Sequence, residues 1–138
     1  MTRPRIFFDT NVLIYALAGS GPKTRIAEVL LIEGGVVSVQ ILNELAAVLR
    51  RKIVGDFIKV RELIEEVVRN CPDPLALSLP THRIGMGLCE RYGFSIYDGT
   101  MIASALEAGC RILYSEDLQH GRVIEGLRIE NPFLNAES

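Results

Sequence analysis

Hydrophobic positions along the chain alternate between short continuous runs and longer stretches with helical spacing. The continuous runs predict five strands, at residues 6–8, 36–39, 75–79, 110–115 and 128–133. The helical spacing predicts six helices, at residues 12–17, 22–33, 40–52, 57–70, 82–92 and about 98–108. Because strands alternate with helices, we expect an α/β fold, a single three-layer α/β/α domain with a mainly parallel central sheet.

The ends of these elements carry residues that cap or interrupt regular structure. We expect Asn11 or Thr10 to cap the first helix, Pro22 to occupy the first turn of the second, and Thr81 to cap the fifth. Gly93 is expected to end the fifth helix. Pro132 lacks a backbone N–H, so the last strand is predicted to lie at an edge of the sheet.

Length and composition indicate one domain over residues 1–138. The chain is 49% hydrophobic, yet no apolar run approaches the ~20 residues needed to span a bilayer, and the N-terminus has no signal pattern. The three cysteines are widely spaced and odd in number, which argues against a disulfide framework and a zinc knuckle. We therefore expect a protein of the reducing cytoplasm that has no membrane segment.

Acidic residues lie at strand ends or near helix starts in four parts of the chain. Asp9 and Asp117 follow strands, Asp98 lies at the start of an apolar helix, and Glu44 borders the apolar face of the third helix. Three of them have a simpler explanation, since Asp9 and Asp98 could act only as caps and Glu44 as a solvated flank residue. In a parallel sheet, however, all four can face one crevice at the carboxyl ends of the strands.

Four carboxylates in one crevice would suit a metal site, because their mutual repulsion requires protons or hard cations. Oxygen ligands without a cluster of Cys and His indicate Mg²⁺ or Mn²⁺, which can activate water and stabilise a phosphodiester displacement. The net charge of −2 argues only weakly against a nucleic-acid substrate, since without the four acids 13 acidic residues face 15 basic ones. His120, close to Asp117, is expected to be a surface residue.

The order of these motifs resembles that of PIN-domain ribonucleases, most closely the VapC toxins of toxin–antitoxin pairs. The resemblance rests on the stretch 9–15, on Ser38 with Glu44, and on the stretches 97–103 and 115–118, and it extends from Ile6 to about Phe133. It implies a PIN-like fold and a Mg²⁺- or Mn²⁺-dependent endoribonuclease that cleaves RNA. It also implies a homodimer and inhibition by a small antitoxin.

The resemblance also assigns site residues. Its catalytic and metal-binding acids are Asp9, Glu44, Asp98 and Asp117. Its supporting polar positions are Thr10, Asn11 and Ser115. Glu116 adjoins Asp117, so either carboxylate could face the metal; Asp117 is preferred because Ser115 and Asp117 share a side if strand geometry continues.

Three other classes of protein share parts of this pattern. A receiver domain needs a lysine at the end of a late strand, whereas the lysines are Lys23, Lys52 and Lys59. A dinucleotide-binding domain needs a glycine-rich turn after the first strand, and residues 9–11 do not form one. The remaining alternative is a non-catalytic PIN-fold module that binds RNA or protein; the four acids favour an enzyme over that alternative.

Overall fold

The computed structural model describes residues 3–53 and 55–136, which form six helices and four strands. The helices are α1 (Thr10–Ala18), α2 (Pro22–Glu33), α3 (Val39–Lys52), α4 (Phe57–Asn70), α5 (Leu79–Tyr92) and α6 (Ile96–Glu107). The strands are β1 (Ile6–Phe8), β2 (Ile112–Tyr114), β3 (Val123–Ile124) and β4 (Leu127–Glu130).

The strands form one mixed sheet in the order β1-β2-β4-β3. β1 pairs in parallel with β2, β2 in parallel with β4, and only β3 runs antiparallel to its neighbour. Phe7, Leu113 and Ile129 lie side by side in the register and are fully buried. The predicted α/β fold with a mainly parallel sheet is confirmed, and the residues that follow β1 and β2 emerge at the same edge.

The helices form two groups in their contacts. α1 packs against α2 and α3, and α4 packs against α2 and α3, while α5 packs against α6, which also reaches β4. α6 is buried on all sides from Gly99 to Ala105, as its apolar composition predicts. Gly85 of α5 permits close approach, because an added Cβ would lie 2.7 Å from Thr100 Cγ2.

Two predicted strands, at 36–39 and 75–79, are wrong. These segments make only isolated parallel bridges, Phe7 with Val36 and Ser38 with Leu75. Each extended segment is cut short because a serine caps the helix that follows: Ser38 accepts from the N–H of Ile41, and Ser78 caps α5 in the same way.

The expectation that the last strand is an edge strand is also wrong. β4 ends at Glu130, before Pro132, and lies between β2 and β3. The edge strand on that side of the sheet is β3, which pairs with β4 through a two-residue turn at Glu125 and Gly126, where φ is 51° and 91°. Positive φ at both positions is the geometry of a tight hairpin turn. A two-residue strand has no hydrophobic pattern that would predict it.

The helix caps differ from the predictions at two positions. Asp9 caps α1, in place of Asn11 or Thr10, and Ser78 caps α5, in place of Thr81. In both helices the cap is the last residue with extended backbone, so α1 begins two residues and α5 three residues earlier than the apolar spacing indicates. The predicted position of Pro22 and the left-handed Gly93 at the end of α5 are confirmed.

Candidate active site

Asp9 is the most buried acid at the carboxyl edge of the sheet, with 9% of its surface exposed. Its backbone N–H donates to the carbonyl of Tyr114, which continues the pairing of β1 with β2 by one residue. Its Oδ1 accepts from the N–H of Thr10 at 2.7 Å, and its Oδ2 accepts from the Ser115 hydroxyl at 2.7 Å. The same carboxylate therefore caps α1 and joins the ends of two neighbouring strands.

The pKa of Asp9 is raised from its ordinary value to about 6. Burial is the main cause, and the hydrogen bonds from Ser115 and Thr10 oppose it. The negative charges of Asp117 and Asp98 raise the pKa further. Two of the other predicted site acids are thus close enough to Asp9 to disfavour its ionised form.

Asn11 joins Asp9 to Asp117. Its Nδ2 donates to Asp117 Oδ2 at 3.1 Å and to Asp9 Oδ2 at 3.3 Å. Its Oδ1 accepts from the backbone N–H of Glu116 at 3.2 Å. Ser115 Oγ accepts from the N–H groups of Asp117 and Leu118, which orders the segment after β2. The bonds of Asn11 and the bond from Ser115 to Asp9 hold that segment to the start of α1.

Glu44 approaches the same site from α3. The Thr10 hydroxyl donates to Glu44 Oε2 at 3.1 Å, although the two residues are 34 positions apart. Glu44 is half-buried, so it is neither a fully solvated flank residue nor a core residue. Thr10 therefore connects the capped start of α1 to this carboxylate.

Gln40 is a site neighbour that the sequence reasoning missed. Its Nε2 donates to Glu44 Oε1 at 3.3 Å and to the Tyr97 carbonyl at 3.4 Å, and its Oε1 accepts from the Thr100 hydroxyl at 3.2 Å. It therefore links α3 to the first turn of α6. The available signal was its spacing, because residues four apart lie on one face of a helix, and Gln40 precedes Glu44 by four.

Asp98 lies in the first turn of α6 and is half-buried. It is not the cap of that helix, because Ser95 is: the Ser95 hydroxyl oxygen accepts from the N–H of Asp98 at 3.2 Å. Its negative charge adds to burial and to the charge of Asp117 in raising the pKa of Asp9. The interpretation of Asp98 as only an N-cap is therefore wrong.

Glu116 and His120 take part in other contacts. The Glu116 carboxylate accepts from the Tyr15 hydroxyl at 2.9 Å and from Lys23 Nζ at 2.7 Å. Burial would raise the pKa of Glu116, but the hydrogen bonds from Lys23 and Tyr15 outweigh it and leave that pKa lowered. His120 is exposed, and its Nδ1 accepts from the N–H of Asn131 at 3.0 Å, a contact within the loop structure.

The donor set at this edge suits a hard divalent cation, because it consists of carboxylate, hydroxyl and amide oxygens. Across residues 3–53 and 55–136, no three His, Cys, Asp or Glu side chains form a ready-made metal cluster. The oxygens of Asp9 and Asp117 instead accept hydrogen bonds from their protein neighbours. A metal would therefore have to replace some of these hydrogen bonds, such as those from Asn11.

In the part of the chain that the structure describes, no helix has both the length and the apolar character needed to cross a bilayer.

The chain is similar to known proteins in both sequence and fold. The family model described as PIN domain matches residues 6–125. No curated protein matches the chain. Among solved structures, a toxin–antitoxin complex from Klebsiella pneumoniae has a TM-score of 0.70 at 18% identity, and the match covers 92% of this chain and 97% of that one.

Two further structures have similar folds. VapBC2 from Rickettsia felis, bound to a DNA fragment from its promoter, has a TM-score of 0.67 at 16% identity, covering 91% of this chain and 97% of that one. The VapC20 toxin of Mycobacterium tuberculosis, which cleaves the sarcin-ricin loop, has a TM-score of 0.62 at 16% identity, covering 81% and 89%. At such low identity these likenesses show a shared fold.

Proposed function

Because the chain belongs to the PIN-domain family, we propose that it is a single-domain endoribonuclease that cleaves RNA phosphodiester bonds with Mg²⁺ or Mn²⁺, the toxin of a toxin–antitoxin pair. The observation that carries the proposal is the network at the carboxyl edge of the sheet. There Asn11 bridges Asp9 and Asp117, and Thr10 bridges the first turn of α1 to Glu44. Nucleases of this family generally use divalent metals, and the oxygen donors agree with that requirement.

The proposed metal ligands are the four acids, with their neighbours as supports. Asp9, Asp98, Asp117 and Glu44 would hold the cation, which when bound supplies charge neutralisation for the phosphate and a lowered pKa for water. The hydrogen bonds of Ser115 and Thr10 keep the Asp9 carboxylate fixed and favour its ionised form. A carboxylate of this set accepts the proton of the attacking water.

The partners are proposed from the same comparisons. The structure from Klebsiella pneumoniae is a toxin–antitoxin complex and that from Rickettsia felis is VapBC2 with promoter DNA, and each match covers more than nine-tenths of this chain. We expect a cognate small antitoxin and a homodimer for this protein as well. Exposed apolar side chains on several helices, such as Ile32 and Ile58, leave surface for association.

The second candidate function is a PIN-fold module that binds RNA or protein without cleaving. The observation in its favour is the lack of a ready-made metal cluster among the described residues. The two functions differ in a simple outcome: a binding module retains RNA in the presence of metal without producing shorter fragments.

The test is cleavage of end-labelled RNAs by purified protein in Mg²⁺, in Mn²⁺ and in EDTA. Wild type is expected to cleave with metal only, and Asp9→Asn to lose activity. The matched control is Asp56→Asn, since Asp56 is also a helix cap but lies exposed at the start of α4, outside the site. Cleavage by Asp9→Asn at the wild-type rate would indicate a contaminating nuclease, and RNA binding without cleavage would support the binding module.

A further inference from the structure

In the segment 115–118, which follows β2, both oxygens of the Glu116 carboxylate accept hydrogen bonds from side chains of α1 and α2. Oε1 accepts from the Tyr15 hydroxyl at 2.9 Å, and Oε2 accepts from Lys23 Nζ at 2.7 Å. The next residue, Asp117, instead reaches Asn11 and through it Asp9. Consecutive side chains of this segment therefore serve two different clusters.

Lys23 is the centre of the first cluster, which consists of Lys23, Tyr15, Glu116 and Phe133. Its ammonium lies 5.2 Å from the centre of the Tyr15 ring and 5.9 Å from that of Phe133. The two rings meet edge to face at 5.0 Å, and Phe133 is buried. The Lys23 cluster thus joins α1, α2, the segment after β2 and the C-terminal segment.

The pair of Lys23 and Glu116 differs from the exposed ion pairs of this protein. Its side chains are 34% and 25% exposed, against 46% and 49% for Arg3 and Glu33. Exposed pairs contribute little to stability, whereas partial burial and a second donor, the Tyr15 hydroxyl, strengthen the hold on Glu116.

We infer that Lys23 is a positioning residue that anchors Glu116, so that the segment 115–118 presents Asp117, and not Glu116, to the site. This inference rests on the proposed function for its catalytic consequence, but the anchoring itself does not depend on activity. Asp117 is exposed, and its carboxylate accepts a hydrogen bond from Asn11 Nδ2. Its direction therefore depends on how firmly its neighbours in the chain are held.

Amide hydrogen exchange tests whether Lys23 anchors the segment, and this measurement does not depend on RNA cleavage. The N–H groups of Glu116, Asp117 and Leu118 all donate to side chains, those of Asn11 and Ser115, so their exchange reports how well the segment is held. Lys23→Met should speed exchange of these amides by roughly fivefold, and Lys23→Arg should restore most of the protection. The matched control is Arg3→Met, which removes an ion pair at the other end of α2 and should leave these amides unchanged.

Metal binding and kinetics test the choice between the two acids. The Mn²⁺-induced rise in melting temperature should nearly vanish in Asp117→Asn and persist in Glu116→Gln. In Lys23→Met, kcat should fall about tenfold with little change in KM, because an outer support of the site is lost while RNA contacts remain. Lys23→Arg should recover activity.

Two results would overturn the inference: unchanged exchange at 116–118 in Lys23→Met, or a larger loss of the Mn²⁺ shift in Glu116→Gln than in Asp117→Asn. Failure of the proposed function has a different signature. A wild type that cleaves no RNA in either metal would refute the nuclease assignment, while the exchange comparison would still decide whether Lys23 holds the segment.

Discussion

The Ser115 hydroxyl donates a 2.7 Å hydrogen bond to Asp9 Oδ2, although the two residues are 106 positions apart in the chain. Both follow buried parallel strands, β1 and β2, whose pairing brings their ends together. Ser115 is fully buried, and the bond favours the ionised form of an acid whose burial opposes ionisation. The pairing of β1 with β2 therefore brings the Ser115 hydroxyl to Asp9, where its hydrogen bond favours the ionised carboxylate.

Replacing Ser115 with Ala should destabilise the fold more at neutral pH than at acidic pH. At neutral pH the buried, ionised Asp9 loses a charge-assisted hydrogen bond, a cost of about 2 kcal/mol. Near pH 4 Asp9 is protonated in the folded protein, and the loss is smaller. Urea denaturation in EDTA at the two pH values measures the difference. Ser104→Ala, at another buried serine, serves as the control. If Ser115→Ala loses the same free energy of unfolding at both pH values, the prediction is contradicted.

The metal-free protein should lose stability as the pH rises from about 4 to about 6 through the titration of Asp9. Its folded pKa, about 6, lies above the ordinary value of 3.8, so the folded state binds the proton more tightly than the unfolded state. The shift corresponds to a loss of about 3 kcal/mol from the free energy of unfolding once the pH exceeds the pKa of Asp9 in the folded protein. Denaturation curves in EDTA across this range measure it.

The variant Asp9→Asn provides the comparison for that pH dependence. It lacks the titrating group. The free energies of unfolding of wild type and variant should therefore differ less at low pH than at neutral pH. Asp56→Asn, at an exposed cap, should keep the wild-type slope. A wild-type slope in Asp9→Asn would assign the pH dependence to other groups.

Replacing Asp98 with Asn should not lower the melting temperature of the metal-free protein. The change removes one negative charge near Asp9 at nearly constant shape, and α6 keeps its cap because Ser95, not Asp98, provides it. The gain from added Mn²⁺ should become smaller, because ligand stabilisation follows affinity for the folded state. A clearly lower metal-free melting temperature with an undiminished Mn²⁺ shift would exclude Asp98 from the metal site.

Replacing Gln40 with Ala should lower the rate of RNA cleavage clearly and the free energy of unfolding only slightly. The variant loses the hydrogen bonds to Glu44 and to the Tyr97 carbonyl, so Glu44 is less well oriented and the link between α3 and α6 weakens. We expect kcat to fall about tenfold, with about 1 kcal/mol lost from the free energy of unfolding. Asn43→Ala, at an exposed position of the same helix, should change neither quantity.

Much of this site follows from local chemistry. A continuous apolar run predicts β1, and the residue after a buried parallel strand must lie at the ligand-binding edge, which places Asp9 there. The same reasoning places Ser115 beside it, after β2. Apolar spacing also predicts all six helices, because an amphipathic or fully apolar period of 3.6 residues depends on neighbours in the sequence.

The tertiary structure decided what depends on partners distant in the chain. Residues 36–39 have a strand-like composition, yet they make only isolated bridges because Ser38 caps α3 and the helix begins at Val39. β4 lies inside the sheet because a short hairpin strand covers its outer side. Glu116 and Asp117 are adjacent acids that local pattern could not separate. Lys23 and Tyr15 bind the first, and Asn11 binds the second, because α1 and α2 pack together beside the end of β2. Hydrogen bonds that join residues about a hundred positions apart exist only once the sheet has aligned its strands.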